Sequence, residues 1–301
     1  MAERLAPEHV QLRITSRPER PRGRAGRWIR RTLATVLAIM LLAAGTLVTL
    51  HFLAVPPGAQ DVRATGLIPE EMPATVLVVL ARPGQEAALA GTLAALDDAG
   101  VAVHILSLTR GETQPPSVEP GGERVAEIRS DELAAVGDVL GVESLTVAEY
   151  ADGMLLLADP DEVTATIAGE IKEVAPSAVI TVSDLTGQDA DSKAVAAYTL
   201  EAAGADGSGV GRLWTVTRAD REISWNALMG EPIATQAPDV DVAVRIEDHA
   251  TDKSRVLAAH GTRSPDLVST TYPYADRIPA WAYFRFWDRE YFALTWGMPL
   301  G

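Results

Sequence analysis

The sequence predicts an α/β domain with a mainly parallel, Rossmann-like sheet and helices on both faces, preceded by one transmembrane helix. Three patterns predict it. After residue 73, short continuous runs of aliphatic and β-branched residues alternate with amphipathic stretches of helical period, as in strands buried on both faces. Residues 32–60 contain no Asp, Glu, Lys or Arg, and His51 is the one titratable side chain. Hydrophobic residues make up 47% of the 301, which excludes a wholly disordered chain.

The N-terminal stretch 1–31 is a basic tail with nine arginines against three glutamates, a local +6. Residues 32–55 follow as the transmembrane helix. At a rise of about 1.5 Å per residue they span roughly 36 Å, enough to cross a hydrocarbon core with some tilt. Arg27, Arg30 and Arg31 directly before the span place the N-terminus in the cytoplasm and the main domain outside, in the cell membrane's outer compartment. A cleaved signal would have a shorter apolar core of about 7–15 residues and a small-residue cleavage site; Pro56 and Pro57 stand there instead. Residues 56–72 are expected as a proline- and glycine-punctuated linker, and 73–301 as the folded domain.

Within that domain the expected strands are 75–81, 101–108, 144–147, 178–182, 213–217 and 240–244. The expected helices are 86–99, 122–140, 161–174, 192–203 and 248–260. The aromatic tail 277–301 is expected to be a closing helix packed on the core. In such a sheet ligands bind beyond the C-terminal strand ends, so the loops after Ala81, Leu108 and Val182 are the ones to inspect.

Charge and motifs remove several function classes. Setting aside the basic tail, the remaining chain has 17 basic and 38 acidic side chains, a net −21 from the 26 and 41 of the whole. That body repels phosphate backbones, so no nucleic-acid partner is expected. The absence of cysteine excludes disulfides, thiolate zinc sites, iron–sulfur clusters and thiol nucleophiles. The turn after the first strand of the domain reads Arg82-Pro83-Gly84-Gln85-Glu86, not a dinucleotide-binding glycine motif, and neither a P-loop nor a nucleophile elbow occurs.

The segment VLVVLARPGQEAALAGTLAALDDAGVAVHILSLTRGE, from Val76 to Glu112, resembles the opening of the LmbE-like, or PIG-L, zinc-dependent N-deacetylases. There an apolar strand ends in A-H-P-D-D-E and the next strand in T-x-G-E. Arg129 to Leu133, Leu140-Gly141-Val142, Pro176 with the strand 178–182, Gly187 to Val195, and Lys253 through His260 echo further family motifs in order. The resemblance covers about residues 75–260. It implies a zinc held by two histidines and an aspartate, and a second aspartate as base toward zinc-bound water. Carried over, the metal-holding positions are Arg82, Gln85 and Ser192, and the base position is Gly84. Asp189 stands where the family's first histidine of H-P-D-H is expected, while Pro83, Glu86, Asp191 and His260 keep the family's residue type.

These replacements remove the chemistry the resemblance implies. A guanidinium offers no lone pair to a metal, a glutamine carbonyl and a serine hydroxyl are poor zinc ligands, and glycine takes no proton. The expectation is therefore a catalytically degenerate pocket, a pseudoenzyme with no confident catalytic residue and no cofactor. The alternative is an active N-deacetylase with a rearranged metal site, zinc or a harder cation held among Glu86, Asp184, Asp189, Asp191 and His260. In the degenerate pocket Arg82 takes the electrostatic place of the lost metal and is neutralised by Asp189 or Asp191. Ligand-contact candidates are Arg82, Arg110, Asp189, Asp191 and His260. Structural counterparts stand beside four of them: turn and N-cap duty for the two aspartates, a solvated surface arginine for Arg110, and a relic histidine for His260. His104, inside an apolar strand, is read as a core histidine. The expected function is glycan or ligand binding, or scaffolding, outside the membrane. Its partners would be the membrane itself, an amino-sugar-containing envelope glycan or lipid, or another protein.

Overall fold

The computed structural model describes residues 24–52, 55–69, 74–113, 122–185, 189–228, 239–262, 272, 275 and 277–299. The chain divides into two compact units, Met1–Thr49 and Leu50–Gly301. The first holds most of α1 (Arg24–Phe52), a helix long and apolar enough over Trp28–Thr46 to cross a membrane. Its threonines do not spoil that surface. Thr32, Thr35 and Thr46 return their hydroxyls to the carbonyls four residues back, at 2.8 to 3.0 Å, so little free polarity is left.

The second unit is built on one eight-stranded sheet, in the order β1-β7-β8-β6-β5-β2-β3-β4. The strands are β1 (Gln60–Val62), β2 (Thr75–Leu80), β3 (Ala102–Thr109), β4 (Ser144–Tyr150), β5 (Ala178–Val182), β6 (Arg212–Thr217), β7 (Val242–Arg245) and β8 (Arg289–Gly297). All neighbours are parallel except β8, which runs antiparallel to both β6 and β7. The helices of this unit are α2 (Ala90–Asp98), α3 (Gly122–Leu140), α4 (Pro160–Val174), α5 (Ala190–Gly204), α6 (Asp220–Leu228), α7 (Ala250–Ala259) and α8 (Ala280–Phe286).

Strand periodicity divides the core in two. Val76, Val78 and Leu80 of β2, with Ile180 of β5 and Trp214 of β6, join Leu93, Val136, Val256 and Phe284 from α2, α3, α7 and α8. Leu77, Val79 and Val179 point the other way and meet Ile167, Ile171, Val195 and Tyr198 of α4 and α5. Successive side chains of a strand alternate faces, so the continuous apolar runs supply both layers. α4 starts on signals present in the sequence: the Asp159 carboxylate accepts the Asp161 N–H at 3.0 Å, Pro160 opens the first turn and two acids follow.

Three expectations are corrected. The region expected as linker 56–72 contributes to the domain: β1 pairs with β7, and Leu67 and Ile68 are buried. Trp214 Nε1 donates to the Leu67 carbonyl at 2.6 Å, which fixes that segment against β6 in the interior of the sheet. Residues 70–73 lie outside the described residues. The expected helix 86–99 is a short 3-10 turn, Gln85–Ala88, followed by α2. Glu290 from β8 separates the two, since its carboxylate accepts the Gly91 and Thr92 N–H groups at 3.0 and 2.7 Å and so caps α2 from far along the chain. The aromatic tail is a helix only over α8 and then becomes β8. Tyr291 and Phe292 lie on opposite faces of that strand and both are buried, and aromatic residues of this kind suit a pleated surface.

Candidate functional site

The C-terminal ends of β2, β3, β4 and β5 open on one side, and the loops leaving them form a small polar cup. Arg82 stands two residues past β2 and is 4% exposed. Its Nε donates to Asp152 Oδ1 at 2.7 Å, its Nη1 to Asp189 Oδ2 at 2.6 Å, and its Nη2 to Asp189 Oδ1 at 3.2 Å and Asp191 Oδ2 at 3.4 Å. The pair with Asp189 is bidentate, the geometry in which a guanidinium fork matches a carboxylate. Burial alone would make Arg82 easier to deprotonate. Asp189 and Asp152 outweigh it and hold the group above its ordinary range, so it is a fixed cation.

Each carboxylate is in turn seated by backbone. Asp152, wholly buried two residues past β4, accepts the Thr113 N–H at 3.2 Å and the Thr113 hydroxyl at 2.6 Å. Burial raises its pKa, but the Arg82 charge and Thr113 bring it below the ordinary carboxylate range. Asp191 accepts the N–H groups of Gly153 at 2.7 Å and Leu155 at 3.0 Å. Asp189 is the N-cap of α5 and accepts the Ser192 N–H at 3.1 Å and hydroxyl at 2.7 Å.

Gln85 closes the cup. Its carbonyl accepts the Ala81 N–H at 2.8 Å, and its amide donates to Ser192 Oγ. Gly84 between them has φ +97°, a left-handed backbone that glycine adopts without penalty.

A second cluster adjoins the first through the same loop. Glu86 accepts the Gly84 N–H at 2.9 Å and hydrogen-bonds Nε2 of His260, which follows α7. Glu132 of α3 lies 3.8 Å from His260 Nδ1 and accepts the Thr262 N–H and hydroxyl, both at 2.7 Å. Burial would strip the proton from His260, but Glu86 and Glu132 reverse this and push its pKa up to about 9. Glu86 is held below the usual range, where the His260 charge overcomes the burial that would raise it. The charged form of His260 is therefore favoured, with Nε2 bonded to Glu86 and Nδ1 facing Glu132 at 3.8 Å without a hydrogen bond.

The sequence-derived candidates divide accordingly. Arg82, Gln85, Asp189, Asp191 and Ser192 meet in the cup, Gly84 supplies its turn, and both aspartates reach Arg82. Asp189 also performs the N-cap duty considered for it. His260 and Glu86 form the neighbouring ion pair. Asp184 stands apart, with Lys193 Nζ 3.0 Å from its carboxylate. Arg110 pairs with Glu123 at the surface at 2.8 Å, away from the cup. His104 is half-buried on β3 and shares a 2.6 Å hydrogen bond with Ser144. Gly187 and Gln188 lie outside the described residues. Sequence reasoning missed Asp152 and Thr113. The one signal was Asp152-Gly153, an ordinary turn dipeptide.

These residues do not fit the zinc that the fold family implies. The first ligand position holds a guanidinium, the cup carboxylates are bonded to it, and the Gln85 amide nitrogen points at Ser192. Among the described residues no group of three His, Asp or Glu side chains is arranged to hold a metal ion.

Residues 77–203 match the family model described as PIG-L, GlcNAc-PI de-N-acetylase. Over 204 residues the chain is 28% identical to a probable N-acetyl-alpha-D-glucosaminyl L-malate deacetylase 2 of Bacillus cereus, covering 65% of this chain and 87% of that one. The fold is shared with N,N'-diacetylchitobiose deacetylase from Pyrococcus horikoshii at TM-score 0.54 and 19% identity, over 75% of this chain and 84% of that one. It is also shared with GalB, the 4-carboxy-2-hydroxymuconate hydratase from Pseudomonas putida, at TM-score 0.55 and 15% identity, over 75% and 97%. One architecture thus carries deacetylases and a hydratase, so the fold alone does not name a reaction.

Proposed function

Because residues 77–203 carry a PIG-L (LmbE-like) family domain, we propose that this deacetylase-like protein binds a ligand where its relatives hydrolyse one. In this reading the chain is a single-pass membrane protein with its N-terminus in the cytoplasm. The PIG-L-like domain lies outside the membrane and acts as a binding or scaffolding module for an amino-sugar-containing envelope glycan or lipid. The anchoring rests on the length and composition of α1 and the arginines before its apolar stretch.

The observation that supports loss of hydrolysis is Arg82, bonded to Asp152, Asp189 and Asp191 in the position where the family's chemistry needs a metal ligand. An arginine there supplies positive charge to an oxygen-rich cup without an open coordination position. No water is activated by it, and Gly84 offers no base. Glu86 and His260 are occupied with each other.

The test is metal analysis of the full chain, purified in detergent, loaded with zinc and desalted, alongside release of acetate from N-acetylglucosamine conjugates. The expected result is no retained zinc and no acetate. Stoichiometric zinc together with acetate release would overturn the binding reading in favour of a deacetylase with a rearranged site.

A further inference from the structure

The chain leaving β4 passes through Asp152 in the cup and then turns through a short 3-10 segment, Leu155–Leu157, before α4 begins. Leu155 is fully buried, while Met154, Leu156 and Leu157 stand 50%, 59% and 75% exposed. Single apolar side chains scattered over a surface are ordinary. Three displayed together on one turn mark a place of contact.

This knuckle is held firmly from below. Asp191 of α5 accepts the N–H groups of Gly153 at 2.7 Å and Leu155 at 3.0 Å. The Met154 carbonyl accepts the Leu157 and Ala158 N–H groups at 2.9 and 3.1 Å. The Tyr198 hydroxyl donates to the Leu155 carbonyl at 3.3 Å, and the Leu155 side chain joins Val163 and Ala194 in the core. The outer side chains are thus presented by an ordered backbone, which lowers the entropy lost when something covers them.

Where the chain enters the domain indicates what covers them. α1 ends at Phe52, and Val55 already packs beside Ala219, Ala243 and Tyr291. Three Cα steps reach no more than about 11 Å, and no Asp, Glu, Lys or Arg stands between 32 and 60. Tyr291 is level with Thr217, the last residue of β6, and with Ala243. Their strand neighbours Phe292 and Val242 face the α2, α3 and α7 layer, so Tyr291 and Ala243 face the α4 and α5 side. The knuckle lies on that same side and at the same end of the sheet, since Leu155 packs with α4 and α5 just past β4. Five strand spacings separate β8 from β4, about 24 Å at ~4.8 Å each. The point of entry and the knuckle therefore share one rim of the domain.

We propose that Met154, Leu156 and Leu157 dip into the surface of the lipid bilayer, and that together with the tether at Val55 they seat this rim of the domain on the membrane. The inference rests on the membrane-anchored reading above and adds to it the face that meets lipid. Because the cup opens at the same end of the sheet, its ligand then arrives from the bilayer surface. Leucine and methionine suit the boundary between headgroups and acyl chains. Asp159, Asp161 and Glu162 are exposed directly after the knuckle. They stay in water, limit entry to the tip, and favour zwitterionic over anionic lipid.

The chain has no cysteine, so the experiment places one reporter at a time in the full chain, held in phosphatidylcholine nanodiscs. The sites are Leu157→Cys on the knuckle, Leu41→Cys within α1, and Trp281→Cys, an exposed position on α8 across the sheet. Each carries an environment-sensitive fluorophore, read with and without nitroxide-bearing lipid. The expected result is a blue-shifted Leu157 label, quenched at least threefold more strongly than the Trp281 label. Met154→Glu with Leu156→Glu in the same chain abolishes that quenching without lowering the melting temperature, because both side chains are exposed. Quenching at Leu41 with a Leu157 label no different from the Trp281 label overturns the inference and leaves the anchor standing. No quenching at Leu41 overturns the anchor and the inference together. A blue-shifted Leu157 label that nitroxide lipid does not quench means that protein covers the knuckle, and overturns the inference. Unchanged quenching in the double glutamate variant overturns it as well.

Discussion

Arg82→Met tests whether the cup is held by charge. Methionine matches the stem of arginine but withdraws the cation from three carboxylates, of which Asp152 is wholly buried and Asp191 nearly so. Removing one partner of a buried ion pair leaves the other charge uncompensated and costs about 3–5 kcal/mol. The upper half is expected here, because Arg82 makes four hydrogen bonds and the bidentate one is aligned. For a domain of this size each kcal/mol moves the melting temperature by about 2–4 °C, so the loss at pH 7.5 is about 8–20 °C.

The pH dependence should also change sign. In the wild type the Asp152 pKa is depressed, so its contribution is present at neutral pH and lost only as pH falls through that lowered value. Without Arg82, burial is left to raise the Asp152 pKa, and mild acid neutralises the carboxylate and recovers stability. Thermal unfolding followed by circular dichroism at pH 7.5 and pH 5 checks both points. A loss below about 1 kcal/mol, or one that does not shrink toward pH 5, would refute the charge argument. Arg82→Met combined with Asp152→Asn is expected to recover at least half of the loss, since the countercharge has then been removed as well.

Other expectations follow from the same geometry. His260 carries a pKa raised to about 9 against an ordinary 6.5. Its stabilisation, about 3 kcal/mol, is complete below pH 6.5 and fades as pH rises through 9. Urea unfolding at pH 6.5 and pH 9.5 should show that decline in the wild type and a flat response in His260→Gln. Restoring ligand types with Arg82→His, Gln85→Asp and Ser192→His in one chain is expected to confer zinc retention on desalting; a triple variant that holds no zinc would mean the loop backbone, with Gly84 in its left-handed conformation, no longer converges on a metal. The chain has no cysteine, so Asp206→Cys gives a single reporter on the exposed turn after α5. Labelling of intact cells by a membrane-impermeant maleimide is expected, and protection until lysis would place the domain on the cytoplasmic side.

How much of this was legible in the sequence depended on whether the cause was local. Residues 122–140 and 178–182 coincide with α3 and β5 because an amphipathic repeat and a β-branched run are complete signals within their own span. β1 has three residues, two of them polar, and exists because β7 offers it an edge. β8 begins where an aromatic helix pattern was expected, and its place between β6 and β7 is a property of the sheet. The break before α2 depends on Glu290, some two hundred residues away, whose carboxylate no local pattern could connect to Gly91. The site repeats the lesson. Arg82 and its aspartates were readable because an ordered set of motifs placed them on facing loops. Asp152 was not, since a lone aspartate before a glycine reads as a turn until the ends of β2 and β4 are seen side by side.

The order in the cup bears on what has happened to it. A centre that merely lost its metal would leave carboxylates facing one another and buried polar atoms unbonded. Here Arg82, Gln85, Asp152, Asp189, Asp191 and Ser192 leave no buried polar side-chain atom without a partner. The residues fit one another across two loops: the Arg82 guanidinium meets Asp189, and the Gln85 amide meets Ser192. Half of such a set would be costly, because a buried arginine without Asp189, or Gln85 without Ser192, forfeits hydrogen bonds in a water-poor site. The cup is therefore a closed hydrogen-bonded set, as the binding reading proposed above requires. Its cation ties the loops after β2, β4 and β5 to one another.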